Sequence, residues 1–282
     1  MLIDGKKTSM IIRESVRAEV SGLIEKNKIP PKLAVILVGD SEASKIYVRN
    51  KEKACKDAMI LTQTIRENDK ITEEELIKIV KSLNDDDTVH GILVQLPLPK
   101  HINDTAVIDA IDPEKDVDGF HTINKGAMLL SNKGLLPATP KGILTLLKME
   151  GVSIAGAKVV VVGRSNIVGK PAAIMLLNEN ATVTITNSHT RDLKSETLQA
   201  DILIVAAGKA RLITADMVKP GAVVIDVGVN RVDDKICGDV DFENVEKVAS
   251  MITPVPGGVG PMTIASLLEN TVVCYKKKMR LS

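Results

Sequence analysis

One stretch, residues 158–171, constrains the fold of this chain more than any other. Lys158 is followed by four consecutive valines, which is typical of a parallel strand buried on both faces. Gly163 then allows a sharp turn, and Pro171 suits the first turn of a helix, where its missing N–H costs nothing. A helix that begins directly after a strand directs backbone N–H groups at an anion, which we expect to be a dinucleotide pyrophosphate. Because Ser165 stands where the usual fingerprint has its second glycine, a plain strand–helix turn stays open as an alternative.

The composition argues against several classes of protein. The chain has 37 Lys and Arg against 36 Asp and Glu, so we expect neither nucleic acid nor a membrane surface as its main partner. The three cysteines are widely scattered, which fits neither a disulfide framework nor a metal cluster. The N-terminus lacks the layout of a signal peptide, and no apolar run reaches the roughly 20 residues that span a bilayer. We therefore expect a cytoplasmic protein, long enough at 282 residues for two domains.

Helices and strands alternate along the first 110 residues. The spacing of apolar residues predicts helices over 8–26, 41–58 and 72–83, and strands over 33–38, 60–66 and 91–95. This alternation implies an open parallel sheet, in which ligands bind beyond the carboxyl ends of the strands. Gln95 ends the third strand, and Lys51 lies on the helix that follows the first. We therefore expect these two side chains to converge on one crevice.

The second half of the chain predicts another sheet of the same kind. Strands are expected over 158–162, 182–186, 201–206 and 222–227, with short helical segments between them. Thr139 is predicted to cap a helix that has Pro140 at its first position. The last helix, over 262–277, has an apolar stripe and is expected to return to the first domain. The fold class is thus α/β: two doubly wound domains, the C-terminal one of Rossmann type.

Six stretches also carry a resemblance to a known family: residues 47–55, 91–99, 115–120, 137–140, 162–171 and 253–263. In this order, over nearly the whole chain, they are similar to motifs of the bifunctional methylenetetrahydrofolate dehydrogenase/cyclohydrolase family. The resemblance implies two domains flanking a cleft: a folate-binding catalytic domain of residues 1–137, completed by the C-terminal helix 256–282, and an NADP-binding domain of residues 138–255. It also implies a homodimer joined through the NADP-binding domains.

The family's site residues carry over to matching positions of this chain. Catalytic positions are Tyr47, which stacks on the folate, Lys51, which acts as general acid/base, and Gln95 and Asp118, which position Lys51 and the pterin ring. The positions expected to contact substrate are these four together with Leu96, Pro97, Pro256, Gly257 and Gly258. Those expected to contact NADP are Gly163, Arg164, Ser165, Ser188 and Val229. No metal is expected.

Taken without the resemblance, each of these residues has a plainer interpretation. A lysine in a stretch that also contains Lys53 and Lys56 is more often solvated than catalytic. Tyr47 favours the functional alternative, since a tyrosine four residues before Lys51 shares its helix face and can stack on a flat ring. Gln95 could be an ordinary edge amide, and Asp118 an ordinary turn residue.

The choice of cofactor depends on one strand end. An NAD site usually has an acid there to bind the ribose hydroxyls, but residues 186–188 are Thr, Asn and Ser. Arg164 in the glycine turn would attract a 2′-phosphate. The sequence therefore favours NADP.

The expected reactions are the oxidation of 5,10-methylenetetrahydrofolate and the hydrolysis of the methenyl product to 10-formyltetrahydrofolate. Hydride transfer mainly requires that two rings be positioned, whereas the hydrolysis requires a general acid/base. Two alternatives stay open: another NADP-dependent two-domain dehydrogenase, of the shikimate or amino-acid type, and a non-catalytic folate or nucleotide sensor.

Overall fold

The protein was analysed as a computed structural model, which describes residues 1–27, 29–233 and 235–281. The chain divides into two compact units. One contains Met1–Met10 and Pro137–Thr263, and is called the 137–263 unit below. The other contains Ile11–Leu136 and the chain from Ile264 onward, and is called the 11–136 unit. Two of the boundaries therefore fall inside helices.

The helices are Gly5–Asn27 (α1), Glu42–Asp57 (α2), Glu73–Asp85 (α3), Asp104–Asp109 (α4), Thr122–Leu129 (α5), Ala138–Met149 (α6), Gly169–Asn178 (α7), Leu193–Thr197 (α8), Phe242–Val245 (α9) and Val259–Lys278 (α10). The strands are Lys32–Val38 (β1), Leu61–Glu67 (β2), Gly91–Val94 (β3), Lys158–Val162 (β4), Thr182–Thr186 (β5), Ile202–Val205 (β6), Val223–Asp226 (β7), Asn230–Val232 (β8), Lys235–Cys237 (β9) and Met251–Ile252 (β10).

The 11–136 unit is built on a parallel three-stranded sheet of order β2-β1-β3. Strands β1 and β3 are almost fully buried, because helices cover both of their faces. The helix ends follow the sequence signals. The Ser41 side chain accepts the Ser44 N–H at the start of α2, and Thr72 with Glu75 forms a reciprocal capping box at the start of α3.

The last helix returns to this unit, as the sequence predicts. In the second half of α10 the Asn270 side chain donates hydrogen bonds to the carbonyl oxygens of Val117 and Leu136. The fully buried Tyr275 donates to the Ile29 carbonyl oxygen and packs edge-on against His90. These contacts join the end of the chain to elements formed more than a hundred residues earlier.

The 137–263 unit contains a parallel five-stranded sheet of order β10-β7-β6-β4-β5. The valine-rich β4 lies between β6 and β5, and its four valines are at most 3% exposed. The first residues of the chain belong here because Leu2 forms a parallel bridge with Ile252 and the Ile3 N–H donates to the Ile252 carbonyl. Sequence pattern alone did not predict this placement, which differs from the expected domain bounds at residues 1–10 and 256–263. The assignment of folate and NADP to the two domains stays a prediction.

Other local predictions differ from the structure. Helices α4 and α5 and the β8–β9 hairpin were not predicted, since each is too short to show a clear apolar period. The prediction that Thr139 caps a helix was wrong. Helix α6 begins at Ala138, Pro137 precedes it, and the Thr139 hydroxyl lies 3.0 Å from that of Thr263. Among the described residues, no helix is long and apolar enough to cross a membrane.

Candidate active site

The structure brings Lys51 and Gln95 together in the 11–136 unit. Lys51 is 8% exposed, whereas its neighbours Lys53 and Lys56 on α2 are exposed. The Lys51 Nζ donates a hydrogen bond of 3.1 Å to the Gln95 Oε1. A lysine that is both buried and bonded to a neutral amide differs from the ordinary solvated lysine, so the plainer interpretation of Lys51 is wrong.

The sheet geometry explains this meeting of residues that lie 44 positions apart. Gln95 directly follows β3, and its backbone N–H donates to the Ile36 carbonyl of the adjacent β1. Its side-chain Nε2 donates to the Leu96 carbonyl at 2.6 Å, which leaves Oε1 directed at Lys51. Strand β1 is adjacent to β3 in the sheet, and helix α2 begins shortly after the carboxyl end of β1. The side chains of Lys51 and Gln95 therefore both reach the carboxyl edge of the sheet.

Asp118 lies in the electrostatic field of Lys51. Burial raises the pKa of the Asp118 carboxyl above its usual value and the nearby Asp116 raises it further, while the Lys51 ammonium acts in the opposite direction. The Asp116 carboxylate accepts hydrogen bonds from the His121 N–H and the Asn124 amide, which hold the loop that carries Asp118. Asp118 is half-buried, so its carboxyl is partly removed from water and is suited to receive N–H donors from a ligand.

Tyr47, Leu96 and Pro97 lie on the same elements as the lysine–glutamine pair. Tyr47 precedes Lys51 by one turn of α2, and its side chain is 41% exposed. A tyrosine so exposed, in a chain with only two, offers a ring face to a ligand. Leu96 and Pro97 follow Gln95 directly and are joined by a cis peptide bond.

The glycine turn after β4 has the geometry that the sequence predicts. Gly163 has φ of +119°, and a Cβ atom there would overlap the Ala206 carbonyl oxygen at the end of β6. Ser165, at the position of the missing glycine, uses its Oγ to accept the N–H groups of Val168 and Gly169. Ser165 therefore closes the turn through hydrogen bonds to its side chain, which a glycine at this position could not do. Glycine at position 163 therefore allows the turn to pack directly against the Ala206 carbonyl oxygen.

The residues expected to select NADP follow two adjacent strands. Val162 on β4 pairs with Thr186 on β5, so Arg164 and Ser188 come two residues beyond paired positions. Both side chains are exposed. No carboxylate stands at residues 186–188, which agrees with a site that accepts a 2′-phosphate.

The Gly- and Pro-rich loop at residues 254–258 also belongs to the 137–263 unit. Gly257 has φ of +114° and its carbonyl accepts the Lys6 N–H, while the Gly258 N–H donates to the Pro254 carbonyl. A Cβ atom on Gly5 would overlap the Gly258 carbonyl oxygen, so this loop is held against the start of α1. Pro256 is exposed and preceded by a cis peptide bond.

Val229, expected at the nicotinamide end of NADP, is 54% exposed and follows β7. Sequence reasoning missed two buried acids beside it, Asp226 and Asp239. A signal was present, because each stands within two residues of a glycine in the patterns Asp-Val-Gly and Gly-Asp-Val. Within the described parts of the chain, no group of three or more His, Cys, Asp and Glu side chains could hold a metal ion.

Comparison with known proteins identifies the same family as the sequence resemblance does. Residues 3–118 match the family model described as tetrahydrofolate dehydrogenase/cyclohydrolase, catalytic domain, and residues 137–279 match that of the NAD(P)-binding domain. A bifunctional protein FolD of Listeria innocua is 52% identical over 282 residues, 100% of this chain and 99% of the relative.

Solved structures are similar as well. That of the bifunctional enzyme FolD from Campylobacter jejuni has a TM-score of 0.96 at 50% identity and covers 98% of this chain and 99% of its own. That of the Trypanosoma brucei enzyme, complexed with NADP cofactor and inhibitor, has a TM-score of 0.96 at 37% identity, over 99% and 98% of the chains.

A shikimate 5-dehydrogenase from Listeria monocytogenes has a TM-score of only 0.51 at 14% identity, over 89% of this chain and 96% of its own, so that likeness extends to the fold alone. Two family models that together match most of the residues, and a relative 52% identical from end to end, are decisive. The chain belongs to the tetrahydrofolate dehydrogenase/cyclohydrolase family.

Proposed function

We propose that this chain is a bifunctional enzyme of folate one-carbon metabolism. It oxidises 5,10-methylenetetrahydrofolate to 5,10-methenyltetrahydrofolate with NADP, and hydrolyses the product to 10-formyltetrahydrofolate. The observation that carries the proposal is the buried Lys51 ammonium hydrogen-bonded to Gln95, within a chain of this family. One residue set then serves two reactions with different chemical needs.

The oxidation needs little proton chemistry from the protein. When bound, NADP accepts the hydride that leaves the bridging carbon, and the adjacent nitrogens stabilise the resulting cation. The task of the chain is to orient the substrate ring. Tyr47 stacks on the folate, and the Asp118 carboxylate accepts hydrogen bonds from the pterin N–H and amino groups. Those donors would replace the hydration that burial removes from Asp118, which supports this role.

The hydrolysis needs a general acid/base, and Lys51 is the proposed group. Water adds to the bridging carbon, and a proton must then pass from the oxygen to the ring nitrogen that leaves. The Lys51 Nζ carries that proton. Gln95 positions the amine, because its Oε1 accepts one ammonium hydrogen while its Nε2 is fixed on the Leu96 carbonyl. The other substrate contacts that the family resemblance implies are Leu96, Pro97, Pro256, Gly257 and Gly258.

The cofactor is proposed to lie against the glycine turn. The N–H groups that follow Gly163 receive the pyrophosphate, Arg164 and Ser188 receive the 2′-phosphate, Ser165 shapes the turn, and Val229 contacts the nicotinamide end. We further propose a cytoplasmic homodimer joined through the NADP-binding domains, with no nucleic-acid or membrane partner. The net charge of +1 supports the last point.

The two alternatives from sequence are less well supported. A shikimate-type or amino-acid dehydrogenase resembles this chain at the level of fold only, and the full-length relatives point to folate. A sensor without catalysis would not need a buried lysine that is bonded to a neutral amide, because burying an ammonium group is costly.

The test is turnover with 5,10-methylenetetrahydrofolate, run separately with NADP and NAD. We expect methenyl product with both cofactors and a higher kcat/KM with NADP. Methenyltetrahydrofolate supplied without cofactor should be hydrolysed faster than in buffer alone. Shikimate and amino acids are the control substrates. Oxidation of one of these in place of the folate, or no turnover of any of them, would refute the proposal.

A further inference from the structure

Two buried carboxylates occupy the carboxyl edge of the sheet in the 137–263 unit, and the reactions described so far do not use them. Asp226 is the last residue of β7, and Asp239 lies two residues after β9. Asp226 is 3% exposed and Asp239 is 0% exposed. A carboxylate so deeply buried is costly unless its oxygens accept hydrogen bonds, so their partners indicate what they hold in place.

Asp239 joins two loops. Its Oδ2 accepts the backbone N–H groups of Ala207 at 2.7 Å and Gly208 at 2.8 Å, both in the loop after β6. Its Oδ1 accepts the side-chain Nδ2 of Asn230 at 2.8 Å, in the segment after β7. One side chain therefore fixes the loop after β6 relative to the segment that follows β7.

Asp226 fixes the backbone that carries Asp239. Its Oδ1 accepts the N–H groups of Gly228 at 2.9 Å and Asp239 at 3.0 Å, and its Oδ2 accepts that of Val240 at 3.0 Å. Gly228 and Gly238 make this approach possible, because a Cβ atom on either would overlap one of the two carboxylates. The six hydrogen bonds all come from neutral donors, so the network fixes geometry and forms no ion pair within itself.

The two loops lie where a dinucleotide would bind. In the sheet order β10-β7-β6-β4-β5, the chain passes from β4 to β5 on one side and then crosses to β6 on the other side of β4. The order of the strands therefore reverses between β4 and β6. Ligands of doubly wound sheets bind at this switch point. The loop held by Asp239 begins there, since the Ala206 carbonyl packs against Gly163. Asn230, the second partner, directly follows Val229.

We propose that Asp239 is a positioning residue for the NADP-dependent oxidation, which holds the loops after β6 and β7 in the shape that receives the nicotinamide half of the cofactor. Asp226 supports it by fixing its backbone. This inference rests on the proposed function for its reaction, and on the sheet topology for its place. Loss of the Asp239 carboxylate should weaken NADP binding and the oxidation, and leave the cofactor-independent hydrolysis unchanged.

The test is the variant Asp239→Asn, which keeps the size of the side chain but places an amide nitrogen where an acceptor is needed. The dissociation constant of NADP is measured by calorimetry, with the KM for NADP and the rate of methenyltetrahydrofolate hydrolysis without cofactor. We expect dissociation constant and KM to rise about tenfold, since misdirected loops lose contacts that depend on position. The hydrolysis rate should stay within about twofold, because it requires no cofactor contact.

Matched variants make the result specific. Asp241→Asn changes a nearby acid whose carboxylate accepts a hydrogen bond from Asn244 instead, and should leave NADP binding unchanged. Asn230→Ser removes one donor to Asp239 and should weaken NADP binding by a smaller factor, and it serves as the test should Asp239→Asn fold poorly. Unchanged NADP binding, or a parallel loss of NADP binding, hydrolysis and melting temperature, overturns the inference. Should the wild-type protein fail to oxidise the folate, the proposed function fails, while the dissociation constants still decide the role of Asp239.

Discussion

The two units build their candidate sites by different means. In the 11–136 unit, the site consists of side chains from distant positions, with Lys51 on a helix and Gln95 at a strand end. In the 137–263 unit, the turn after β4 is made largely of backbone, with glycine where a Cβ would overlap a neighbouring carbonyl. A site of the first kind can lose its chemistry without loss of fold. A site of the second kind cannot be altered without strain, because the same atoms form the fold and the site.

Buried polar groups show the same contrast. Lys51 has one hydrogen bond to a neutral amide, which leaves the rest of its ammonium group for a ligand or water. Asp226 and Asp239 each accept three hydrogen bonds from protein donors. The first arrangement suits a group that acts on a substrate, and the second suits groups that hold loops still.

The largest expected effect is on hydrolysis. Lys51→Met should lower the rate of methenyltetrahydrofolate hydrolysis by about 10²–10⁴, because a general acid/base is lost while the side-chain volume is retained. NADP affinity should not change, since the cofactor turn lies in the other unit. The control is Lys53→Met, an exposed lysine of the same helix. Hydrolysis at the wild-type rate in the Lys51 variant would show that another group carries the proton.

The next effect is on stability and tests the site made of backbone. Gly163→Ala should lower the free energy of unfolding by about 3 kcal/mol, because the alanine is strained at positive φ and overlaps the Ala206 carbonyl. Gly156→Ala is the matched control. Gly156 has φ of +80° with open space around its Cβ, so only the strain of about 1 kcal/mol remains. Urea denaturation of both variants measures the difference, and equal losses would remove the role assigned to the close approach.

A third effect is on the pH dependence of stability, to which one buried group in each unit contributes with opposite sign. The pKa of His90 is lowered to about 4, mainly because the ring is buried and also because the cations of Lys115, Lys278 and Lys32 disfavour its protonated form. The unfolded state binds this proton more tightly than the folded state, so the free energy of unfolding falls as pH decreases from about 6.5 towards 4. In the other unit, burial raises the pKa of Asp226 to about 6. That carboxyl acts in the opposite direction, adding stability as pH falls through about 6.

The variant His90→Asn isolates the first contribution. Its Oδ1 can accept the Lys32 N–H that the His90 Nδ1 accepts now, but it does not titrate. Between pH 7 and pH 5 the wild-type protein should lose about 2 kcal/mol more stability than the variant. Asp226 is common to both proteins and cancels in the difference. Identical pH profiles in urea denaturation would mean that His90 is not buried in its neutral form.

The smallest expected effect concerns cofactor choice. Arg164→Ala should lower the ratio of kcat/KM with NADP to that with NAD about tenfold, or about 1.4 kcal/mol, because a cation near the 2′-phosphate is removed. Lys170→Ala is the control, since Lys170 lies on α7 with its Nζ bonded to Asn166. A ratio that changes equally in both variants would indicate a general charge effect and no specific contact by Arg164.

Much of the framework could be predicted from the sequence. The valine run of β4 is a local signal, and the structure confirms the buried strand that it predicts. Ser41 and the pair of Thr72 and Glu75 are local signals of the same kind, and each caps the start of a helix in the structure. The short helices α4 and α5 and the β8–β9 hairpin could not be predicted, because their formation depends on packing against distant elements. Thr139 shows the opposite failure. A good capping residue was present, but the helix begins one residue before it.

The candidate site divides along the same line. The glycine turn could be predicted because its residues are contiguous in the sequence. The convergence of Lys51 and Gln95 was predicted from the rule that ligands bind beyond the carboxyl ends of parallel strands. The roles of Tyr47, Lys51, Gln95 and Asp118 stay predictions until the variants are measured. The buried pair of Asp226 and Asp239 was missed, because an acid beside a glycine is common in loops and only its burial distinguishes it.

By itself, the sequence determined the strand-and-helix alternation, the family and the turn after β4, since these depend on periodicity and on residues close together in the chain. Tertiary structure decided which residues meet: the amine of Lys51 with the amide of Gln95, and the carboxylate of Asp239 with the segments that follow β6 and β7. It also decided that the first ten residues join the 137–263 unit. The physical reason is that hydrogen bonds between distant residues form only where the packed sheet brings their atoms within about 3 Å, and no local propensity encodes that distance.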